Sequence, residues 1–246
     1  MLLYYIRHGD PIYTPDSLTP FGEEQAEAVA RRLALYGVDE VYSSPSNRAV
    51  LTAKHTCDLL GKQLHILDFL NENALDGLKF LCQDDRKEWV WSHPTYASIL
   101  AQRSVREMAD RWYEHPKLAQ FHFDRTILPI QEKIDDFLSS CGYTHDREKG
   151  IYRITGKCPE KRIAVFAHEC MGKIFMSHIL DIPFPYYAAH FEMHTSALTV
   201  IRFGSSEIGE SENFTRAQVL SLSNDGHLYK EGLSLTHRFK SIQEQY

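Results

Sequence analysis

The sequence predicts an α/β fold, a three-layer α/β/α sandwich with a mostly parallel central sheet and an inserted helical cap. Short apolar runs of strand length alternate with amphipathic helical segments over residues 1–76 and again after residue 160. Residues 77–160, called the insert below, interrupt this alternation with aromatic residues, charges and histidines. The 246 residues are enough for one large core, so we expect a single domain over residues 1–246 with the insert as its cap.

The predicted strands are short runs of aliphatic and aromatic residues, as in buried parallel strands. They cover residues 2–6, 41–42, 64–67, 163–167, 197–203 and 218–222. One helix is expected to start at Thr19-Pro20 and stop at Gly37, because threonine suits the N-cap, proline the first turn and glycine the C-cap. Further helices are expected over residues 47–60, stopping at Gly61, and over residues 126–141 and 171–180.

The remaining segments have weaker patterns. Residues 7–18 contain Gly9, two prolines and polar residues, and they predict a loop. Residues 77–125 show no clear strand and predict helical pieces. Residues 224–227 predict a turn before a last short strand.

Composition excludes several classes of protein. The chain has 27 Lys+Arg against 33 Asp+Glu, a net charge of −6, and no basic block, so we expect no binding to nucleic acid. No apolar run approaches the ~20 residues that span a bilayer, so we expect no membrane partner. The five cysteines are scattered without a CxxC pair, which favours a reducing, cytoplasmic location over a disulfide framework.

Charged and imidazole side chains follow three of the predicted strands. Arg7 and His8 end the first strand, Arg48 lies near the start of the helix after the second, and His168 follows the strand at residues 163–167. Because the carboxyl ends of parallel strands meet at one edge of a sheet, these side chains are expected to converge. Two arginines and two histidines at one rim suit the capture of an anion.

Four motifs give these residues a family context. They are Ile6-Arg7-His8-Gly9, Leu18-Thr19-Pro20-Phe21-Gly22, Ser43-Ser44-Pro45-Ser46-Asn47-Arg48-Ala49 and Val165-Phe166-Ala167-His168. In order and spacing they resemble the histidine phosphatase superfamily, the phosphoglycerate mutase-like proteins. The resemblance implies that His8 is the nucleophile that becomes a phosphohistidine, and that Arg7, Arg48 and His168 hold the phosphoryl group.

Elementary chemistry agrees with these roles. A neutral imidazole has a free lone pair at neutral pH and can attack phosphorus, provided that an acceptor such as a backbone carbonyl fixes its other nitrogen. Guanidinium groups match phosphate oxygens in pairs and stay charged. Phosphoryl transfer needs positioning and charge stabilisation above all, so no metal or other cofactor is expected.

The leaving group needs a proton from a carboxyl group that burial or nearby negative charge keeps protonated. Residues 70–77 resemble the family segment in which a glutamate donates it, and this makes Glu72 the first candidate. Asp76 is weaker, being a typical turn residue before a glycine. Glu169 stays an alternative acid, because one branch of the superfamily places its acid directly after the second histidine.

The run Asp10-Pro11-Ile12-Tyr13-Thr14-Pro15 departs from the mutases of the family, which carry a serine and a Trp-Asn pair there. This favours the phosphatase branch. Thr14 is a candidate phosphate ligand through its hydroxyl, with loop capping as the alternative, and Asp10 is expected to form a turn. His190 and His194 have the spacing of helical metal ligands, but no third ligand accompanies them.

The sequence therefore predicts a metal-independent hydrolase of small phosphomonoesters. Two alternatives remain, a phosphoglycerate-type mutase and a catalytically idle module that binds phospho-ligands. The physiological substrate is not readable from the sequence. The aromatic-rich insert is expected to cover the phosphate pocket and leaves room for a homodimer contact.

Overall fold

A computed structural model describes residues 1–82, 87–156, 160–204 and 213–234. Its strands are β1 Leu2–Arg7, β2 Pro11–Tyr13, β3 Asp16–Leu18, β4 Glu40–Ser43, β5 Leu64–Ile66, β6 Lys79–Leu81, β7 Lys87–Trp89, β8 Tyr143–Asp146, β9 Ile151–Ile154, β10 Arg162–Ala167, β11 Leu198–Phe203, β12 Phe214–Thr215 and β13 Ala217–Asn224. Its α-helices are α1 Pro20–Tyr36, α2 Asn47–Leu60, α3 Pro94–Leu100, α4 Arg103–Arg106, α5 Phe123–Ser140, α6 Glu169–Ile179, α7 Phe184–His190 and α8 Gly226–Lys230. Short 3-10 helices cover Asp68–Leu70, Glu72–Leu78, Ala109–Glu114 and Ala119–Phe121.

The central sheet has six strands in the order β13-β11-β1-β10-β4-β5. The four strands from β1 to β5 in that order run parallel, and β11 pairs antiparallel with both β1 and β13. The sheet is therefore mostly parallel, as predicted. In the register, Arg7 lies opposite Ala167 and Ser43 lies opposite Phe166, so β1, β10 and β4 end at the same edge.

The two faces of the sheet are covered by different helices. Along β1, Tyr4 and Ile6 pack in a core with Val29 and Leu33 of α1 and with residues of α2. Leu3 and Tyr5 point to the opposite face and pack in the larger core that contains α5, α6 and α7. This confirms the predicted three layers.

The helix boundaries follow the predicted capping residues. Thr19 is the N-cap of α1 and accepts a hydrogen bond from the Gly22 N–H, and Pro20 opens the helix. Gly37 and Gly61 end α1 and α2, both at positive φ, where a side chain would be strained. No described helix is long and apolar enough to span a bilayer.

The insert differs from the prediction. It contains two antiparallel hairpins, β6–β7 and β8–β9, and β12 adds a third strand to the second hairpin. The expectation of no strand in residues 77–125 is therefore wrong, because strands of three residues are too short for an alternating pattern to show. Helix α5, predicted over residues 126–141, packs on the central sheet, with Phe137 5.2 Å from the ring of Tyr42 on β4.

Aromatic residues of the insert pack against one another and against α7. Trp91 and Trp112 are buried and both contact Phe184 of α7. Trp89 stacks on Trp91, and Trp112 contacts Tyr113. These residues join the core on the α6 face of the sheet. The assignment of residues 1–246 to one domain stays a prediction.

Two other local predictions are corrected. Residues 7–18 are not only a loop, since they contain the β2–β3 hairpin. The strand expected after residues 224–227 is absent from the described residues there, and α8 takes its place. In both cases a segment of three to five residues takes its conformation from packing, which outweighs its weak local preference.

Candidate active site

The three strand ends bring the predicted residues together. His8 follows β1 and His168 follows β10, and their ring centroids are 5.2 Å apart. Arg48, in the first turn of α2 after β4, lies with Nη2 3.1 Å from Nδ1 of His168. His8, Arg48 and His168 are all buried. The predicted convergence at one edge of the sheet is therefore observed.

His8 is held in one orientation by its own loop. Its Nδ1 lies 2.7 Å from the carbonyl oxygen of Gly9, and because a carbonyl only accepts, Nδ1 must carry the proton. The expectation of a backbone carbonyl as acceptor is confirmed. This tautomer leaves the lone pair on Nε2. Burial, followed by the charge of Arg7, holds the pKa of His8 well below its ordinary value, so the ring is neutral at pH 7.

His168 is also neutral but has the opposite tautomer. Arg48 donates to Nδ1, so the proton is on Nε2, which lies 2.8 Å from Oγ of Ser44. Burial, then Arg48 and Arg7, hold the pKa of His168 well below its ordinary value. Ser44 belongs to a motif that the sequence singled out, but its part in orienting His168 emerges only from the structure.

Arg48 is fixed by the β2–β3 hairpin. Its Nη1 lies 3.0 Å from Oδ1 of Asp16, and its guanidinium lies over the ring of Tyr13 at 5.4 Å. Its Nε is buried and has no hydrogen-bond partner among the described atoms. Asp16 and Tyr13 were missed by the sequence reasoning, because nothing in a short polar loop indicates that it turns toward an arginine 32 residues away.

Arg7 is fixed by Glu169. The two side chains form an ion pair of 2.7 Å, and Arg7 also donates to the carbonyl oxygen of Met193. Glu169 is buried and its second oxygen lies 3.3 Å from Nζ of Lys173. The Glu169 carboxyl group thus contacts two cations, Arg7 and Lys173. The Nε of Arg7 is buried without a hydrogen-bond partner among the described atoms.

Glu72 lies beside Arg48 and His168. It opens the 3-10 helix Glu72–Leu78, and its Oε2 lies 3.4 Å from Arg48 and 3.9 Å from Nδ1 of His168. The backbone N–H of Cys170 donates to its other oxygen. Asp76 instead pairs with Lys79 on the surface. Of the three carboxyl groups considered from the sequence, Glu72 is thus the one that contacts both Arg48 and His168.

The loop after β1 packs against the start of α1. A Cβ on Gly22 would lie 2.2 Å from the carbonyl oxygen of Asp10, and a Cβ on Gly9 would lie 2.5 Å from that of Gly22. Asp10 accepts a hydrogen bond from the Thr19 hydroxyl, and its expected role in a turn stays a prediction. Gly9 is needed here because a side chain would prevent this close backbone contact.

Thr14, His190 and His194 fall outside this cluster. Thr14 is exposed at the tip of the β2–β3 hairpin, and its role as a phosphate ligand stays a prediction. His190 ends α7 before His194 is reached, so the two histidines are not on one helix as their spacing suggested. The Cys170 thiol is buried, and burial together with the charge of Glu72 raises its pKa well above the ordinary value, which fits a packing role.

A neutral imidazole with a free nitrogen, two fixed guanidinium groups and a nearby carboxyl define a class of phosphate-handling site. The model of the histidine phosphatase superfamily (branch 1) matches residues 3–128, about half of the chain. The chain belongs to this superfamily.

Part of the chain is similar in sequence to a protein that is named as a phosphatase. A protein of Hydrogenobacter thermophilus named "Putative phosphoserine phosphatase 2" is 38% identical over 126 residues, which cover 44% of this chain and 62% of that protein. The chain thus matches less than two thirds of the length of this curated relative.

Solved structures share the fold. Phosphoserine phosphatase from Entamoeba histolytica, in complex with 3-phosphoglyceric acid, has a TM-score of 0.57 at 18% identity and covers 92% of this chain and 98% of its own. A mycobacterial glucosyl-3-phosphoglycerate phosphatase with inorganic phosphate has a TM-score of 0.57 at 16% identity, with the same coverage. The α-ribazole phosphatase from Shigella flexneri has a TM-score of 0.54 at 17% identity and covers 92% of this chain and 97% of its own.

Proposed function

We propose that this protein hydrolyses small phosphomonoesters without a metal, through a phosphohistidine intermediate on His8. The observation that carries the proposal is the state of His8, a buried neutral imidazole whose Nδ1 is bonded to the carbonyl of Gly9. The remaining lone pair on Nε2 is the nucleophile that a phosphoryl group needs. The relatives that are named as phosphatases support the same reaction.

The reaction has two balanced steps. Nε2 of His8 forms a bond to phosphorus while the bond from phosphorus to the ester oxygen breaks, and the departing oxygen takes a proton from the Glu72 carboxyl. Water then attacks the phosphohistidine, the Glu72 carboxylate takes its proton, and the P–N bond breaks to release phosphate and free His8.

Arg7 and Arg48 are assigned to the phosphoryl oxygens. Their Nε–H groups are buried donors without a protein partner among the described atoms, and such donors are costly unless a ligand satisfies them. Phosphate oxygens match guanidinium groups in geometry and charge. Asp16 and Glu169 hold the two guanidinium groups in place, so little reorganisation is needed when charge develops in the transition state.

The substrate class is proposed from the same groups. A site with two arginines and one nucleophile binds one phosphate monoester group, and the insert beside it would contact the remainder of the molecule. Phosphoserine and glucosyl-3-phosphoglycerate appear in the names of the similar phosphatases, and both are small molecules with one such group. Related small phosphomonoesters are therefore the first compounds to screen.

The test compares the wild-type protein with His8→Ala in an assay of phosphate release from an aryl phosphate, with a chelator present. We expect chelator-resistant release that the substitution lowers by about 10³-fold or more, because the covalent step is lost. His55→Ala, at a histidine of the α2 surface, is the control. Turnover retained by His8→Ala would contradict the proposed intermediate.

A trapping experiment separates hydrolysis from the alternatives. Brief mixing with a phosphate-labelled substrate should place label on the wild-type protein but not on His8→Ala, and the label should be lost in acid and survive in alkali. Binding of phosphate without label or release would favour an idle binding module. Transfer of label to a second acceptor, with no free phosphate, would favour a mutase.

A further inference from the structure

We propose that Asp135, His145 and His178 form a binding site for a divalent transition-metal ion, with Zn²⁺ the best match. The three side chains come from α5, β8 and α6, and each offers one ligand atom within 4.8 Å of the others. Imidazole nitrogens combined with one carboxylate oxygen are ligands that Zn²⁺ prefers, whereas Ca²⁺ and Mg²⁺ prefer oxygen atoms alone.

The spacing of the ligand atoms suits a tetrahedral ion. Oδ1 of Asp135 lies 2.8 Å from Nε2 of His178 and 3.2 Å from Nδ1 of His145. Bonds of about 2.0–2.1 Å at tetrahedral angles place two ligand atoms about 3.3 Å apart. The distances from the Asp135 oxygen to the two ring nitrogens are therefore close to the distance between two ligand atoms of a zinc ion. Small side-chain movements would admit the ion.

Asp181 contacts His145 on the side of the ring opposite the proposed ion. Its Oδ2 lies 3.1 Å from Nε2 of His145, the ring nitrogen that faces away from Asp135. When Nδ1 of His145 binds a metal, Nε2 carries the proton and donates it to Asp181. A carboxylate in this position fixes the tautomer of a metal-binding histidine and makes it a better ligand.

The surroundings are rigid on the histidine side and open on the carboxylate side. The His145 and His178 side chains are each 1% exposed, whereas those of Asp135 and Asp181 are 30% and 33% exposed. His145 also stacks on Tyr152 at 4.4 Å, which holds the ring in place. An ion can thus approach from solvent along the carboxylates and meet two buried imidazoles.

A small cavity lies beside His178 and Asp181. A cavity of about 40 Å³ is lined by Gln131, His178 and Asp181 among others, and this volume holds at least one water. Oε1 of Gln131 is buried and has no hydrogen-bond partner among the described atoms. Gln131 lies one helical turn before Asp135 on α5. A water in this cavity could donate a hydrogen bond to the Gln131 oxygen.

This site is separate from the proposed phosphatase site. His168 precedes the first turn of α6 and His178 lies ten residues further, which is about 15 Å along the helix. The ion would link the end of α6 to α5 and to the hairpin of the insert, far from His8. Its role is therefore to join these elements, and the phosphoryl-transfer steps do not pass through it.

Metal binding is tested on the untagged full chain after treatment with a chelator. Equilibrium dialysis against Zn²⁺ should show one ion per chain, and Co²⁺ in its place should give the strong visible absorption of a tetrahedral complex. Asp135→Asn and His178→Gln should each abolish the stoichiometric ion and the spectrum. His55→Gln, which removes a surface histidine that also pairs with a carboxylate, should retain both.

A milder variant guards against loss of folding. Asp181→Asn removes no ligand, and it should weaken Zn²⁺ binding by about 10–100-fold while the circular dichroism of the protein stays unchanged. Zn²⁺ should also raise the Tm of the wild type and not that of Asp135→Asn. Absence of a stoichiometric ion in the wild type, or equal binding by wild type, Asp135→Asn and His178→Gln, would overturn the proposal.

Discussion

At the scale of the residue, the two histidines of the candidate active site differ in which ring nitrogen carries the proton. His8 carries its proton on Nδ1 and His168 carries it on Nε2, because one faces a carbonyl and the other faces an arginine. Both rings are neutral, since burial and the nearby guanidinium groups lower both pKa values. His8 thereby has a free nitrogen for attack, and His168 is a donor held by Ser44.

The two glutamates of the site are expected to respond differently to substitution. Glu72→Gln should lower kcat/KM by about 10²–10⁴-fold for an alkyl phosphate, whose leaving oxygen needs a proton, and much less for an aryl phosphate with an acidic leaving group. Glu169→Gln should lower kcat/KM for the alkyl and the aryl phosphate to a similar extent, because it removes the ion pair that holds Arg7. Steady-state assays on the two substrates measure this. A leaving-group dependence in Glu169→Gln instead would make Glu169 the acid.

At the scale of the element, close packing of the β1 loop on α1 positions His8, the proposed nucleophile. Gly9 donates its N–H to Oγ1 of Thr52 on α2, and Gly9 and Gly22 allow two backbone segments to touch. Thr52 in turn donates to the carbonyl oxygen of Arg48. The loop that carries His8 and the helix that carries Arg48 are therefore joined by direct hydrogen bonds.

A Cβ at Gly22 should disturb this contact. Gly22→Ala is expected to lower the free energy of unfolding by about 2 kcal/mol, because the carbonyl of Asp10 would have to move. Gly61→Ala is the matched control, since it meets no atom within 4 Å and costs only the strain of its positive φ, about 1 kcal/mol. Denaturant unfolding measures both. A larger loss for Gly61→Ala would contradict the packing argument.

At the scale of the whole molecule, α8 near the end of the described chain supports the candidate active site. Nε2 of His227 on α8 lies 3.0 Å from Oγ of Ser196, and the N–H of Ser196 donates to the carbonyl oxygen of His8. Burial, followed by the charge of Arg32, lowers the pKa of His227 to about 4. His227 is therefore neutral in the folded protein at pH 7, and its protonation in acid favours the unfolded state.

Stability should consequently fall as the pH is lowered from about 6.5 to about 4. In this range His227 is protonated in the unfolded state but not in the folded state. This difference lowers the free energy of unfolding by up to about 3 kcal/mol. His8 and His168 act in the same direction, so His227→Gln should reduce the slope without removing it. Denaturant unfolding at several pH values tests this, with His190→Gln on the surface as the control. An unchanged slope in His227→Gln would contradict the assignment.

Much of this architecture was predictable because its signals are local. The strands are short apolar runs, and Thr19, Gly37 and Gly61 mark helix ends by their own backbone preferences. A general rule of parallel sheets then places the residues after β1, β4 and β10 at one edge. This is why the sequence alone groups Arg7, His8, Arg48 and His168.

The sequence by itself thus determined the sheet, the main helices and the identity of the converging residues. Only the tertiary structure decided which of the charged side chains pair with one another. Glu169 pairs with Arg7 across 162 residues and Asp16 pairs with Arg48 across 32, while Asp135, His145 and His178 meet from three separate elements. The physical reason is that such contacts depend on how whole elements pack, and a pair of residues far apart in the chain leaves no periodic pattern in either segment.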